Sequence, residues 1–208
     1  KRFEAANPSI DVRWLDMGSQ DALDRVRSEK ANPQADIWWG APSTMFSSAE
    51  KEGLLDPYKP SWSDKVDPDA HSRNDGWYGT FQTPEVIAYN SKALKREQVP
   101  KDWDDLIDPK WRGKFIIRDP LASGTMRAIY SAAILRKMGS DGDPKPGYEW
   151  LRKLDANTKE YSVNQTIMMQ KLGREEAVLT LWNMPDIELQ KTQYNFPLDY
   201  VIPKSGTP

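Results

Sequence analysis

Cysteine is absent from the 208 residues and histidine occurs once. The first absence removes disulfides, thiolate metal sites and cysteine nucleophiles together. It leaves the compartment open, because many exported proteins also avoid cysteine. The second leaves a Ser-His-Asp triad with His71 as its only base, and His71 sits in the polar run Asp69-Ala70-His71-Ser72-Arg73-Asn74-Asp75, which reads as solvated. There is no Gly-x-Ser-x-Gly elbow and no Gly-Lys-Ser/Thr phosphate loop. Carboxylates abound, but no spacing sets two of them face to face. No catalytic residue, metal site or cofactor is therefore expected. Apolar runs stay far short of the roughly 20 residues of a membrane span. The net charge is −2 with both signs interspersed, so neither a basic stripe for nucleic acid nor a lysine cluster for a membrane surface is present.

What is present is an alternation of short apolar segments and helical patterns. Ile10-Asp11-Val12-Arg13-Trp14 alternates as a half-buried strand does, and Gly18-Ser19 opens a helix through Lys30 with Ser19 as N-cap. Asp36-Ile37-Trp38-Trp39-Gly40 reads as the next strand, and Pro42-Ser43 caps a helix ending at Gly53. The stretch from 54 to 75 reads as a surface loop, and extended structure is expected again at 77–81 and 86–89. A second series follows: a short helix at 103–107, a strand at 114–118, and helices at 123–138, 148–155 and 166–172. A buried strand at 177–182, a helix at 186–193 and a strand at 198–202 complete it. The pattern predicts an α/β protein of two lobes. The first spans 1–83 and the second 84–197, with 198–208 as a crossover returning to the first. Lys1 to Ala6 reads as the tail of a helix stopped by Pro8, and Pro203 to Pro208 as turn chemistry leading onward. Truncation at both ends is therefore expected.

The strongest local signal is Arg118-Asp119-Pro120-Leu121-Ala122-Ser123-Gly124-Thr125-Met126-Arg127. A strand ends in a proline turn and Ser-Gly-Thr starts a helix, whose free N–H groups and dipole make an anion site. Ser123 serves there either as an ordinary N-cap or as a ligand to a solute. Gly18-Ser19-Gln20 and Trp39-Gly40-Ala41-Pro42-Ser43 have the same layout, with Trp39 either core or binding platform. Leu179 to Asp186 delivers an aromatic, an amide and a carboxylate at one mouth, where Asp186 either caps the next helix or meets a cationic group. The expected ligand-binding set is Ser19, Trp39, Gly40 and Ala41 on one lobe and Ser123, Gly124, Thr125, Trp182, Asn183 and Asp186 on the other.

Several blocks together resemble the ferric-ion-binding branch of bacterial ABC-transporter solute-binding proteins. They are residues 32–41 (NPQADIWWGA), 52–58 (EGLLDPY), 87–90 (IAYN), 100–114 (PKDWDDLIDPKWRGK), Asp119-Pro120 with Ser123-Gly124-Thr125, and 201–208 (VIPKSGTP). The resemblance runs along almost the whole chain. It implies the type II periplasmic-binding fold, truncated here at both ends, and an extracytoplasmic, monomeric receptor that holds a small-molecule or anionic solute between lobes and delivers it to a membrane permease. In one place the chain departs from the branch. Iron-binding members present two adjacent tyrosines where this chain has Met184-Pro185, and methionine is too soft to replace phenolate toward ferric iron. An organic or anionic solute is therefore expected over naked iron. The alternatives are a ferric receptor using Tyr89, Tyr161 or Asp186, a carbohydrate receptor stacking on tryptophan, and a transferase on the same two-lobed fold.

Overall fold

The computed structural model describes residues 2–208; the first residue of the expected helix tail, Lys1, lies outside the described residues. Three α-helices lie in the described first part of the chain, α1 (Arg2–Ala6), α2 (Ser19–Ser28) and α3 (Ser43–Lys51), followed by two single 3-10 turns at Ser63–Lys65 and Pro68–Ala70. From residue 85 strands and helices alternate as β1 (Glu85–Asn90), β2 (Phe115–Arg118), α4 (Gly124–Lys137), α5 (Lys145–Asn157), β3 (Thr158–Ser162), α6 (Gln165–Gly173), β4 (Leu179–Asn183), α7 (Met184–Gln193) and β5 (Leu198–Val201). No described helix is long and apolar enough to cross a membrane.

The five strands form one mixed sheet in the order β3-β2-β4-β1-β5. β2 runs parallel to β3 and β4, while β1 runs antiparallel to β4 and β5. Every residue of β1 and β2 is buried, which is why both read as unbroken apolar runs rather than alternating ones. Helices cover the sheet, and one continuous core reaches from Val86 and Leu106 through Phe115, Ile117 and Met126 to Leu154, Met169 and Leu181. Gly147 permits the close crossing of α5 on α4, since a Cβ there would stand 2.5 Å from the Ile134 Cα.

The topology puts four chain positions on one rim. The carboxyl ends of β2, β3 and β4 point the same way, and the antiparallel β1 brings its amino end to meet them, with Glu85 opposite Asn183. Arg118, Ser162, Asn183 and Glu85 therefore share an edge, and α4, α6 and α7 all begin there.

The first part of the chain departs from expectation. Residues 10–14, 36–40 and 77–81 form no ladder; the nearest approach is a single bridge between His71 and Tyr78. An alternating pattern selects a face but supplies no partner strand, and here Trp14 and Ile37 are both 79 % exposed. The buried core of this part is only Leu23, Met45 and Ala49, flanked by Trp38, Ala41, Leu54 and Leu55. Ser19 and Ser43 are first helical residues rather than caps, those positions falling to Gly18 and Pro42. β3 went unread because Thr-Lys-Glu-Tyr-Ser is polar at three of its first four positions. His71 is half-buried rather than solvated, stacked on the Tyr78 ring at 5.3 Å.

Candidate functional site

The rim of strand ends faces α2, α3 and the loops of the first part across a cleft of about 2010 Å³. Closed small-molecule sites hold about 300–1,000 Å³, so the walls must approach to bury a small solute. All ten residues expected to bind ligand line this one cleft.

Ser123 occupies the N-cap of α4, and its hydroxyl accepts from the Met126 N–H at 3.3 Å. Its side chain thus serves its own helix. The next residue is committed across the cleft: the Gly124 N–H donates to the Ser19 hydroxyl at 3.1 Å. Glycine is required for that approach, because a Cβ on Gly124 would stand 2.6 Å from the Ser19 oxygen and 2.7 Å from the Pro42 ring. Arg127 adds a second tie, donating from Nη1 to the Gln20 side chain and from Nε to the Pro120 carbonyl at 3.1 Å. Thr125, half-buried on the cleft wall, keeps its hydroxyl free of partners among the described residues.

Beside this junction lies Arg118. Its side chain ends β2 with only 8 % of the residue exposed, donates to the Ser162 carbonyl at 3.2 Å, and has no carboxylate paired with it among the described residues. Its Nη2 stands 3.9 Å from where a Gly18 Cβ would be, at the head of α2, and the Asp21 Oδ2 stands 3.0 Å from the same point. The Asp21 carboxylate lies near without pairing with it, and an anion placed beside the guanidinium would add charge-assisted hydrogen bonds. A basic residue terminating an apolar strand is a signal the sequence offered and the expected set omitted.

The mouth of β4 is built around Asp186. Asn183, not Asp186, caps α7, its side-chain oxygen accepting the Asp186 N–H at 3.0 Å. The Asp186 Oδ2 in turn accepts from the Trp182 indole at 2.8 Å, the Gln165 amide at 2.9 Å and the Asn183 amide at 3.0 Å. Oδ1 receives no hydrogen bond from the described residues. Gln165 is a second omission; only the packing of α6 against this rim reveals it.

Glu85 is the third. It is 5 % exposed, lines the cleft, and its Oε2 is buried with no hydrogen-bond partner. Burial, and secondarily the nearby Asp186 charge, push its carboxyl up to about 8, so it is largely neutral at pH 7.

On the opposite wall Trp39 is 68 % exposed, with its ring 6.1 Å from that of Phe81, so it is a cleft surface rather than core. Gly40 turns the chain with φ +81°, and Ala41 packs against the small Leu23 core. The residues of the ferric alternative are not brought together. The Tyr89 hydroxyl bonds Asp199 at 3.3 Å, the Tyr161 hydroxyl bonds Asp155 at 2.7 Å beside a separate hollow, and Asp186 alone of the three lines the cleft.

The chain is 32 % identical over 148 residues to a periplasmic-binding protein of Sinorhizobium fredii named for an ABC transporter, covering 70 % of this chain and 41 % of that protein. It is 31 % identical over 150 residues to a Salmonella typhimurium periplasmic protein named for binding 2-aminoethylphosphonate, covering 71 % and 41 %. Iron uptake protein A1 of Synechocystis is 27 % identical over 180 residues, covering 86 % and 48 %. Among solved structures, the periplasmic binding protein AfuA of Actinobacillus pleuropneumoniae, with fructose-6-phosphate bound, superposes with a TM-score of 0.82 at 27 % identity, covering 99 % of this chain and 65 % of that one. The chain thus spans about half the length of the curated relatives it matches, and its fold is that of the two-lobed type II periplasmic binding proteins. Residues 32–207 match the family model for bacterial extracellular solute-binding proteins, and the chain belongs to that family.

Proposed function

We propose that the whole protein is the extracytoplasmic receptor of an ABC importer. It captures a small anionic solute in the cleft and presents it to a membrane permease without transforming it. The lobes that would close on the solute are residues 1–83 and 84–197, with 198–208 returning to the first. The observation that carries the anionic reading is Arg118, a buried guanidinium without a carboxylate partner, set beside the head of a 14-residue helix. A helix N-terminus favours negative charge, and a guanidinium adds two parallel donors suited to phosphate or carboxylate. Thr125 and the indole face of Trp39 would complete the site on either wall. The relative named for a phosphonate and the solved structure holding a sugar phosphate both support a phosphorus oxyanion.

The ferric alternative lacks support in the geometry. Tyr89 and Tyr161 are engaged with carboxylates in separate places, and burial raises both hydroxyls above the usual phenol range, against the phenolate that iron requires.

Native mass spectrometry of the full-length protein, purified without refolding, reads the mass of any retained solute. Calorimetry with inorganic phosphate, ethylphosphonate and fructose 6-phosphate then ranks the anions. Arg118→Met should weaken whichever binds by a hundredfold or more while the fold is retained. Equal affinity in the variant would end the anionic reading.

A further inference from the structure

At the other end of the same rim lies a feature the anion site does not use. Glu85 begins β1 and Asp186 lies in the first turn of α7, and they meet at one rim because β1 pairs with β4 and Glu85 stands opposite Asn183, the cap residue of α7. Among the described residues Glu85 Oε2 is buried without a partner and Asp186 Oδ1 receives no hydrogen bond, so two residues that line the cleft each hold an unused carboxyl oxygen.

The charged groups packed around Glu85 leave this pair without a cation. On α7, Lys191 is engaged with Asp199 of β5, and Glu188 acts on Tyr200. On α6, Lys171 is held by both oxygens of Glu160. Asp199 itself pairs opposite Tyr89, four residues along β1 from Glu85. Beta-strand 4 carries no titratable side chain. Asp186 is the one charge that acts on Glu85, and it acts in the same direction as burial.

Resting on the anionic reading above, we propose that Glu85 and Asp186 form a cation subsite. It takes the ammonium end of a zwitterionic solute whose anionic end lies on Arg118 and the head of α4. Arg118 ends β2 and Glu85 begins β1, with β4 between them, so the two strand ends are about 10 Å apart at the usual interstrand spacing. Side chains reaching inward from both leave room for a compact aminoalkyl phosphonate, phosphate or carboxylate. In the free protein Glu85 is protonated, because burial and Asp186 oppose its charge. An ammonium arriving between the two carboxyls favours the ionised form. The Glu85 proton then leaves to solvent, the ammonium keeps its own, and binding below about pH 8 releases one proton.

The test uses matched probes on the full-length protein: 2-aminoethylphosphonate and 3-aminopropylphosphonate against ethylphosphonate and propylphosphonate. The ammonium lowers the second phosphonate ionisation below that of the alkyl partner, so each affinity is referred to the phosphonate dianion before the ratio is taken, and that ratio isolates the amine. The ratio should favour the amine at least tenfold at pH 8, and fall toward one by up to a decade per pH unit as pH drops. Calorimetry in two buffers of different ionisation enthalpy should read one proton released in excess of the alkyl partner once each ligand's own phosphonate ionisation is subtracted. Glu85→Gln, which keeps shape and needs no proton, should abolish that proton, flatten the ratio with pH and leave alkylphosphonate affinity within twofold. A ratio near one at every pH overturns the cation subsite and leaves the anion site standing. A ratio that rises as pH falls overturns it too, because Glu85 would then be donating as a neutral acid. A pH-dependent ratio that Glu85→Gln leaves unchanged removes Glu85 from the subsite. Binding of none of the four overturns the anionic reading and this inference together.

Discussion

The Gly124 N–H and the Ser19 hydroxyl meet at 3.1 Å across the cleft, joining the head of α4 to the head of α2. This contact uses one of the orphan donors that every helix N-terminus carries, and supplies it from the opposite wall rather than from the helix's own cap. This contact between the two walls depends on the absence of a side chain at Gly124.

Gly124→Ala should therefore act on closure more than on the helix. Alanine is the better helix former, so α4 should keep its ellipticity. Its Cβ, however, would intrude on both Ser19 and Pro42. Solute affinity should fall at least tenfold, and small-angle scattering with solute should show a larger radius of gyration than the parent. Parental affinity would mean that the walls need not approach this closely.

Ser123→Ala and Thr125→Val separate a cap from a ligand. Removing the Ser123 hydroxyl strips the Met126 N–H of its acceptor and costs about 1 kcal/mol, the usual magnitude for a lost cap, or roughly 2–4 °C in Tm for a chain of this size. Thr125→Val removes a hydroxyl with no protein partner, so Tm should hold while the anion loses about tenfold in affinity, the effect of one charge-assisted hydrogen bond. Differential scanning fluorimetry paired with calorimetry reads both, and the reverse assignment would show that Ser123 is the ligand.

Glu85 should make stability fall with rising pH. Its carboxyl is pushed from the ordinary 4.5 up to about 8, so between those values the folded chain holds a proton that the unfolded chain has lost. Stability from this group is complete below about pH 4.5, declines through the window and levels off above about 8. Glu85→Gln should melt with the parent at pH 4 and several degrees above it at pH 8. Parallel melting profiles across that range would mean that Glu85 is ionised in the fold.

Ferric chloride added with phosphate should develop no visible tyrosinate-to-iron charge-transfer band. Tyr89 is buried in β1 against Asp199, and Tyr161 is bonded to Asp155 outside the cleft. A strong band on titration would return iron to consideration and require movement of one of these rings.

Trp182 should report on the Asp186 cluster. Its indole, in a residue only 6 % exposed, donates to Oδ2 at 2.8 Å. Trp182→Phe removes one of three donors from that oxygen and should weaken an amine-bearing solute severalfold while leaving an alkylphosphonate unchanged. Equal losses for both probes would place the effect in general packing.

The sequence alone determined the elements whose physics is local. The apolar runs of β1, β2 and β4 and the Ser-Gly-Thr start of α4 carry their burial and capping in consecutive residues, and all are found within a residue or two of expectation. The ten residues expected at strand ends and helix starts line one cleft for the same reason, because an α/β chain passes its strand-to-helix turns along one rim. Tertiary structure decided what each of them does there. The Ser19 hydroxyl turns from its own helix to Gly124, and Asp186 yields the cap of α7 to Asn183. Arg118, Glu85 and Gln165 matter through whether a partner lies near, and a partner far away in sequence leaves no trace in local pattern. The ladder in Ile10 to Trp14 and Asp36 to Gly40 fails on the same ground: alternation specifies a face, but hydrogen bonds to a neighbouring strand must come from elsewhere in the chain.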